Sequence, residues 1–220
     1  MLRVGVLASG RGTDLQSIID ASEAKKTDAK VVVVISDHQD AYALERARRH
    51  GIDAIHVETR GKKRENYEAE IDAILVDRDV GLVVGAGWMR ILKPFFIDRW
   101  RGKLINIHPS LLPSFPGTHA QADAIGWGVM IAGCTTHFIT REVDRGPIIL
   151  QAALPVKVTD TKESLAQRIL EVEHQILPRT VELLAQGRVR LVDEKVEVLS
   201  GDSWKDLYPT IPGVLYSEGY

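Results

Sequence analysis

Through its first half the chain alternates between short apolar runs and longer stretches with helical spacing. Residues 4–8, 31–35, 54–57 and 82–84 read as strands, and residues 15–24, 41–50 and 66–77 between them read as helices. The run Val31-Val32-Val33-Val34-Ile35 is apolar without alternation, as expected of a strand covered on both faces of a parallel sheet. Strands separated in this way by helices build right-handed βαβ crossovers. A fifth apolar run, residues 104–107, continues the series.

Beyond that run the rhythm changes. Residues 132–140 and 148–156 are strand patterns joined by a turn containing Gly146-Pro147, which predicts an antiparallel hairpin. Residues 160–187 carry a long helical pattern. Asp160 opens it, with Glu163 in the place of a capping-box partner, and Pro178 is expected to kink it. Residues 189–192 and 196–199 flank Asp193-Glu194-Lys195 and predict a second hairpin. Residues 201–220 are rich in Pro, Gly, Ser and Tyr and are expected to form an irregular tail. The expected class is α/β, a doubly wound, mostly parallel sheet with an antiparallel C-terminal hairpin. One domain is expected over residues 1–200, in two halves of about 1–100 and 101–200.

Composition narrows the function. The 220 residues suffice for the core of one large domain. With 28 Lys and Arg against 30 Asp and Glu, no global field draws the chain to nucleic acid or an anionic membrane. The amino terminus runs directly into a strand pattern without the apolar core of a signal peptide, and no apolar run approaches the roughly 20 residues of a membrane span. The single Cys134 reads as a small buried filler in a reducing compartment, so a cytoplasmic location is expected. His38, His50, His56, His119, His137 and His174 lack ligand-like spacing, and no metal site is expected.

Candidate chemistry concentrates at the end of the fifth run. Side chains two apart on a strand share a side, so Asn106 and His108 reach into one cleft. They join an amide donor to a group that moves protons near neutral pH. Downstream, Asp144 lies on a Gly/Pro turn suited to orient that His. An isolated Asn-x-His reads more readily as a turn cap beside a space-filling ring.

The first βα turn, Ser9-Gly10-Arg11-Gly12-Thr13-Asp14, suits an anion at a helix start. A dinucleotide fingerprint needs a third glycine where Leu15 stands, although Asp37 lies where a ribose-binding acid would. A single phosphate is the better reading, with a plain capping turn as the alternative. Met89-Arg90-Ile91-Leu92 follows a strand end and places apolar side chains around exposed backbone, which suits either a flat heterocycle or packing.

Asn106-Ile107-His108-Pro109-Ser110-Leu111-Leu112-Pro113-Ser114-Phe115-Pro116-Gly117 resembles the signature of the glycinamide ribonucleotide transformylase family, folate-dependent enzymes of purine synthesis. The resemblance extends to Ser9–Gln16, Ala86–Leu92, Asp144–Gln151 and Glu173-His174, in family order, and covers residues 2 to about 190. It implies a formyltransferase fold with a phosphate-binding N-terminal half and a folate-binding, catalytic C-terminal half. The implied reaction moves a formyl group from 10-formyltetrahydrofolate, a co-substrate, to the amine of glycinamide ribonucleotide. The implied partners are these small molecules alone, without nucleic acid or membrane, in a monomer or homodimer.

Residue by residue, the resemblance assigns Gly12, Thr13 and Asp14 to the substrate phosphate and Glu173 to its ribose and glycinamide. Met89, Arg90, Ile91 and Leu92 are assigned to the pterin of the folate, and Arg64 to the carboxylate of its glutamate tail. Asn106, His108 and Asp144 are assigned to catalysis, Asn106 also contacting the formyl oxygen of the folate. Asp14 departs from the Asn common in the family. Because a carboxylate repels a phosphate dianion, Asp14 is expected to turn away and cap the helix through the N–H of Gln16 or Ser17. Two similar folate enzymes are the rivals. Methionyl-tRNA formyltransferases usually carry an added RNA-binding domain. Formyltetrahydrofolate deformylases carry a regulatory one and lack the phosphate turn. A non-catalytic nucleotide-binding module is the alternative of a different class.

Overall fold

The computed structural model describes residues 1–201, 210–217 and 219. The chain folds as two compact units, Met1–Asn106 and Ile107–Tyr220. Strand β5 (Leu104–His108) carries the chain from one to the other.

The first unit contains β1 (Leu2–Leu7), α1 (Thr13–Glu23), β2 (Ala29–Ser36), α2 (Tyr42–Arg49), β3 (Asp53–His56), α3 (Arg64–Asp77), β4 (Leu82–Gly85) and α4 (Pro94–Arg99). With the start of β5 these strands align in parallel in the order β5-β4-β1-β2-β3. Val4, Val6, Val33, Val34, Val83 and Val84 are fully buried, which is why these runs show no polar alternation. The chain steps outward from β1 to β3 and then returns to the other side of β1 as β4. Such a reversal opens a crevice at the carboxyl ends of the strands, where α/β sheets bind ligands. The turn after β1 and the loop after β4 meet there. Ser9 N–H donates to the Gly87 carbonyl at 3.0 Å, and Met89 N–H donates to Ser9 Oγ at 3.0 Å.

The second unit holds α5 (Ala120–Trp127), β6 (Ile131–Phe138), β7 (Ile148–Pro155), α6 (Lys162–Ala185), β8 (Val189–Val192), β9 (Lys195–Val198) and β10 (Leu215–Tyr216). Strands β6 and β7 form the expected antiparallel pair, with Thr135 opposite Gln151. The fold is therefore α/β, with a mostly parallel sheet and an antiparallel hairpin. No helix among the described residues is long and apolar enough to cross a membrane.

Four local expectations are corrected. Helix α6 is capped by Thr161, not Asp160: Thr161 Oγ1 accepts from Ser164 N–H, and Ser164 Oγ accepts from Thr161 N–H. The Asp160 carboxylate is already held by Lys157 N–H, the Ser164 hydroxyl and Arg168. The helix then runs through Pro178 to Ala185. The β8–β9 turn contains only Asp193 and Glu194, both at positive φ (48° and 61°), and Lys195 belongs to the strand. Helices α4 and α5, of 6 and 8 residues, lie where no helix was expected. Within the expected irregular tail, β10 pairs antiparallel with β7. The remainder of that expectation, residues 202–209, 218 and 220, lies outside the described residues.

Candidate active site

The first unit carries Gly12, Thr13, Asp14, Arg64, Met89, Arg90, Ile91, Leu92 and Asn106 among the expected site residues. Gly12 sits at φ 66° and caps α1. A Cβ there would lie 2.9 Å from Ala43 Cα and 2.8 Å from Ala43 Cβ, so the position demands glycine on both counts. The Gly10 carbonyl accepts from Ala43 N–H at 3.0 Å, and the Arg11 carbonyl from Arg46 Nε at 2.9 Å. These bonds hold the turn so that the leading peptide groups of α1 present the positive end of the helix.

Asp14 does not cap the helix, contrary to the expectation. Gly12 occupies the cap position, and α1 has no side-chain cap. Asp14 lies within the first turn, where its carbonyl accepts from the Ser17 hydroxyl at 2.7 Å. Burial pushes its carboxyl up to about 7.

Met89 and Ile91 are exposed at the crevice, whereas Leu92 is buried. Arg90 is tied down by a residue from another strand end: its Nε donates to Asp37 Oδ2 at 2.6 Å, and its guanidinium lies 5.7 Å from the Tyr67 ring centroid. Asp37 thus serves the Met89–Leu92 loop. Buried Glu68 holds the end of that loop by accepting from Lys93 N–H at 3.1 and 3.2 Å. Burial raises the Glu68 pKa, with the Lys93 N–H and the Arg64 charge opposing. Arg64 is half-buried in the first turn of α3. Asn106, next to Gly85 in register, is half-buried on β5.

The second unit carries His108, Asp144 and Glu173. His108 is buried at the end of β5. Its Nε2 is 2.9 Å from the Phe115 carbonyl, and its Nδ1 is 3.4 Å from Asp144 Oδ2. A carbonyl can only accept, so Nε2 carries a proton; a second proton at Nδ1 would face a carboxylate. The ring is thus held between two acceptors. Gly117 N–H donates to the same Asp144 oxygen at 2.8 Å. Phe115 (φ 52°) and Asp144 (φ 53°) both adopt the left-handed region, which aims the carbonyl and the carboxylate at the ring.

His137, read from the sequence as structural, lies beside this pair. Its Nε2 is 3.7 Å from Asp144 Oδ1, and its Nδ1 is 3.0 Å from the Phe138 carbonyl. Burial lowers its pKa, with the Phe138 carbonyl and Asp144 opposing and His108 reinforcing. Glu173 is buried on α6, whereas Glu171 is exposed. Sequence reasoning placed Asp37 as a candidate ribose-binding acid and not as the partner of Arg90, and it missed Glu68 and the Phe115 carbonyl. The two acids are ordinary until distant elements meet them, and the carbonyl depends on a backbone conformation. Among the described residues no cluster of His, Cys, Asp or Glu could hold a metal ion.

Comparison with known proteins defines the class. Residues 2–181 match the formyl transferase family, and the chain belongs to it. It is similar to the crystal structure of glycinamide ribonucleotide transformylase 1 from Symbiobacterium toebii, with a TM-score of 0.89 and 47% identity, covering 91% of this chain and 95% of that one. It is 41% identical to phosphoribosylglycinamide formyltransferase of Escherichia coli over 86% of this chain and 90% of that protein. It is also 42% identical over 190 residues to the human trifunctional purine biosynthetic protein adenosine-3, spanning 86% of this chain and only 19% of that larger protein.

Proposed function

We propose that this chain transfers a formyl group from 10-formyltetrahydrofolate to the amine of glycinamide ribonucleotide. The observation that carries the reading is buried His108, on the strand that also bears Asn106, with its Nδ1 3.4 Å from the carboxylate of Asp144 in the β6–β7 loop. The names of the two similar formyltransferases and the phosphate-type turn at Gly12 support the choice of substrates.

In this reading the substrate amine attacks the formyl carbon, the bond from that carbon to the folate nitrogen breaks, and the folate nitrogen takes a proton. The protein needs no nucleophile of its own. It must instead hold the two substrates in register and stabilise the oxygen that gains charge. Asn106 donates its amide N–H to that oxygen. His108 donates a second bond, for which the oxygen must displace one of the acceptors now engaging the ring. Asp144 orients the ring through Nδ1, and the proton that the amine loses is in net the one that the folate nitrogen takes. Arg64, Met89, Arg90, Ile91 and Leu92 hold the folate, whose flat ring suits the exposed apolar side chains beside the anchored loop. Gly12, Thr13, Asp14 and Glu173 hold the ribonucleotide. The site uses no metal, and the protein works in the cytoplasm as a monomer or homodimer.

The test is incubation of the chain with both substrates, with formylated ribonucleotide followed by mass and free folate by absorbance. Equimolar appearance of both is expected. Formate release without formylated ribonucleotide would assign hydrolysis instead, and binding without turnover would assign a non-catalytic module.

A further inference from the structure

The C-terminal segment and the loop that follows His108 are fastened to the same residue, Gln151. On one side its Nε2 donates to the Leu112 carbonyl at 2.9 Å and to Thr135 Oγ1 at 3.0 Å. Thr135, fully buried directly opposite on β6, also donates to the Ser110 carbonyl at 2.7 Å and accepts from Leu112 N–H at 3.1 Å. These four bonds fix residues 110–112. Ser110 N–H in turn donates to the His108 carbonyl at 2.9 Å. The loop is built as a satisfied buried polar network, in which every bond lost leaves an unpaired group behind.

On its other side Gln151 meets β10. Its N–H donates to Ser217 Oγ at 2.9 Å, and its carbonyl accepts from Ser217 N–H at 2.8 Å. Three further contacts dock the segment. The Tyr216 hydroxyl donates to Gln175 on α6, Arg179 Nε donates to the Gly219 carbonyl at 2.8 Å, and Gly219, at φ 99°, packs against Val198. Without β10, the backbone of Gln151 would lie on an open sheet edge. The segment lies outside the matched residues 2–181.

We propose that Gln151 is a positioning residue that transmits the docking of β10 to the loop behind His108, making the C-terminal strand part of the catalytic scaffold. The Asp144–Gln151 block then serves the site at both ends. Asp144 orients the His108 ring, and Gln151 holds the chain from which that ring projects. The catalytic consequence rests on the formyl-transfer reading; the mechanical link does not.

The experiment combines amide hydrogen exchange at Leu112 with steady-state kinetics in Ser217→Ala, Gln151→Ala and the double variant. Ser217→Ala should speed Leu112 exchange about tenfold and lower kcat about tenfold, because small displacements of reacting groups are costly. KM for both substrates should stay within about twofold, and Ser217→Thr, which keeps the hydroxyl, should restore parental values. In the Gln151→Ala background Ser217→Ala should add nothing. Tyr216→Phe, which removes the hydroxyl's bonds to Gln175 on α6 and to Ile211 N–H but leaves Ser217 in place, should give the same pattern at smaller size. Unchanged Leu112 exchange in both Ser217→Ala and Tyr216→Phe, or additive losses in the double variant, would overturn the proposal. A parent without formyl transfer would overturn the proposed function and leave the exchange result decisive for the link.

Discussion

The two units build their candidate sites from different materials. In the first, the Gly12 turn is made of backbone and is seated against the small side chain of Ala43. In the second, His108 and Asp144 are side chains whose geometry is set by a carbonyl, an amide and two left-handed residues. Backbone sites hold a ligand through repeated weak donors, so single substitutions there should alter affinity or stability. A side-chain pair that moves a proton concentrates its effect in the transition state, so substitutions there should alter turnover.

The sharpest way to break this contrast is to remove the pair. His108→Ala and Asp144→Ala should each lower kcat by about 10²–10⁴-fold with KM nearly unchanged, in steady-state assays with both substrates. The double variant should be little worse than either single one, since both serve one proton path. Retention of turnover within about tenfold of the parent would remove the variant residue from the mechanism.

Asp14 gives the next largest effect, in stability rather than rate. Its folded pKa of about 7 exceeds the model-compound value of 3.8, so the folded state binds more protons between those values. Stability therefore falls as pH rises from about 4 to about 7, and the full penalty of burying the charge applies above that. Asp14→Asn removes a penalty of up to about 4 kcal/mol at pH 8 and changes little near pH 4. Melting temperatures at the two pH values check the sign; an equal shift at both would place the cause elsewhere.

Gly12→Ala tests the backbone half directly. The positive φ and the approach to Ala43 should cost about 1–3 kcal/mol of stability and raise KM for the ribonucleotide while sparing kcat. Arg64→Ala should give the smallest effect, a rise of about tenfold in KM for the folate alone, as expected for one charged pair. An equal rise for both substrates would separate Arg64 from the folate tail.

The sequence revealed these two halves unequally. Strand β5 and its His108 were legible because an apolar run ending in a Pro-punctuated loop is a local pattern, and so was the β6–β7 hairpin around Gly146-Pro147. The Asp37–Arg90 pair was not, because it joins residues from two loops that only the sheet order brings together. Neither was the Phe115 carbonyl, whose aim depends on a φ that a phenylalanine does not advertise. Asp14 was misread because capping was judged from residue type, while the cap lies two residues earlier, on a left-handed glycine. Strand β10 is two residues long and has no period to detect.

The seating of Gly12 against Ala43 has a consequence for how this chain can diverge. The volume a side chain would fill at position 12 is already taken by the backbone and methyl of the fully buried Ala43, at the start of α2. Neither position can be enlarged while the other stays in place. Drift at position 43 is therefore constrained by the turn packed against it, and the two positions should behave in a collection of descendants as a single inherited character. A combinatorial library randomised at both would recover functional members only among the smallest pairs.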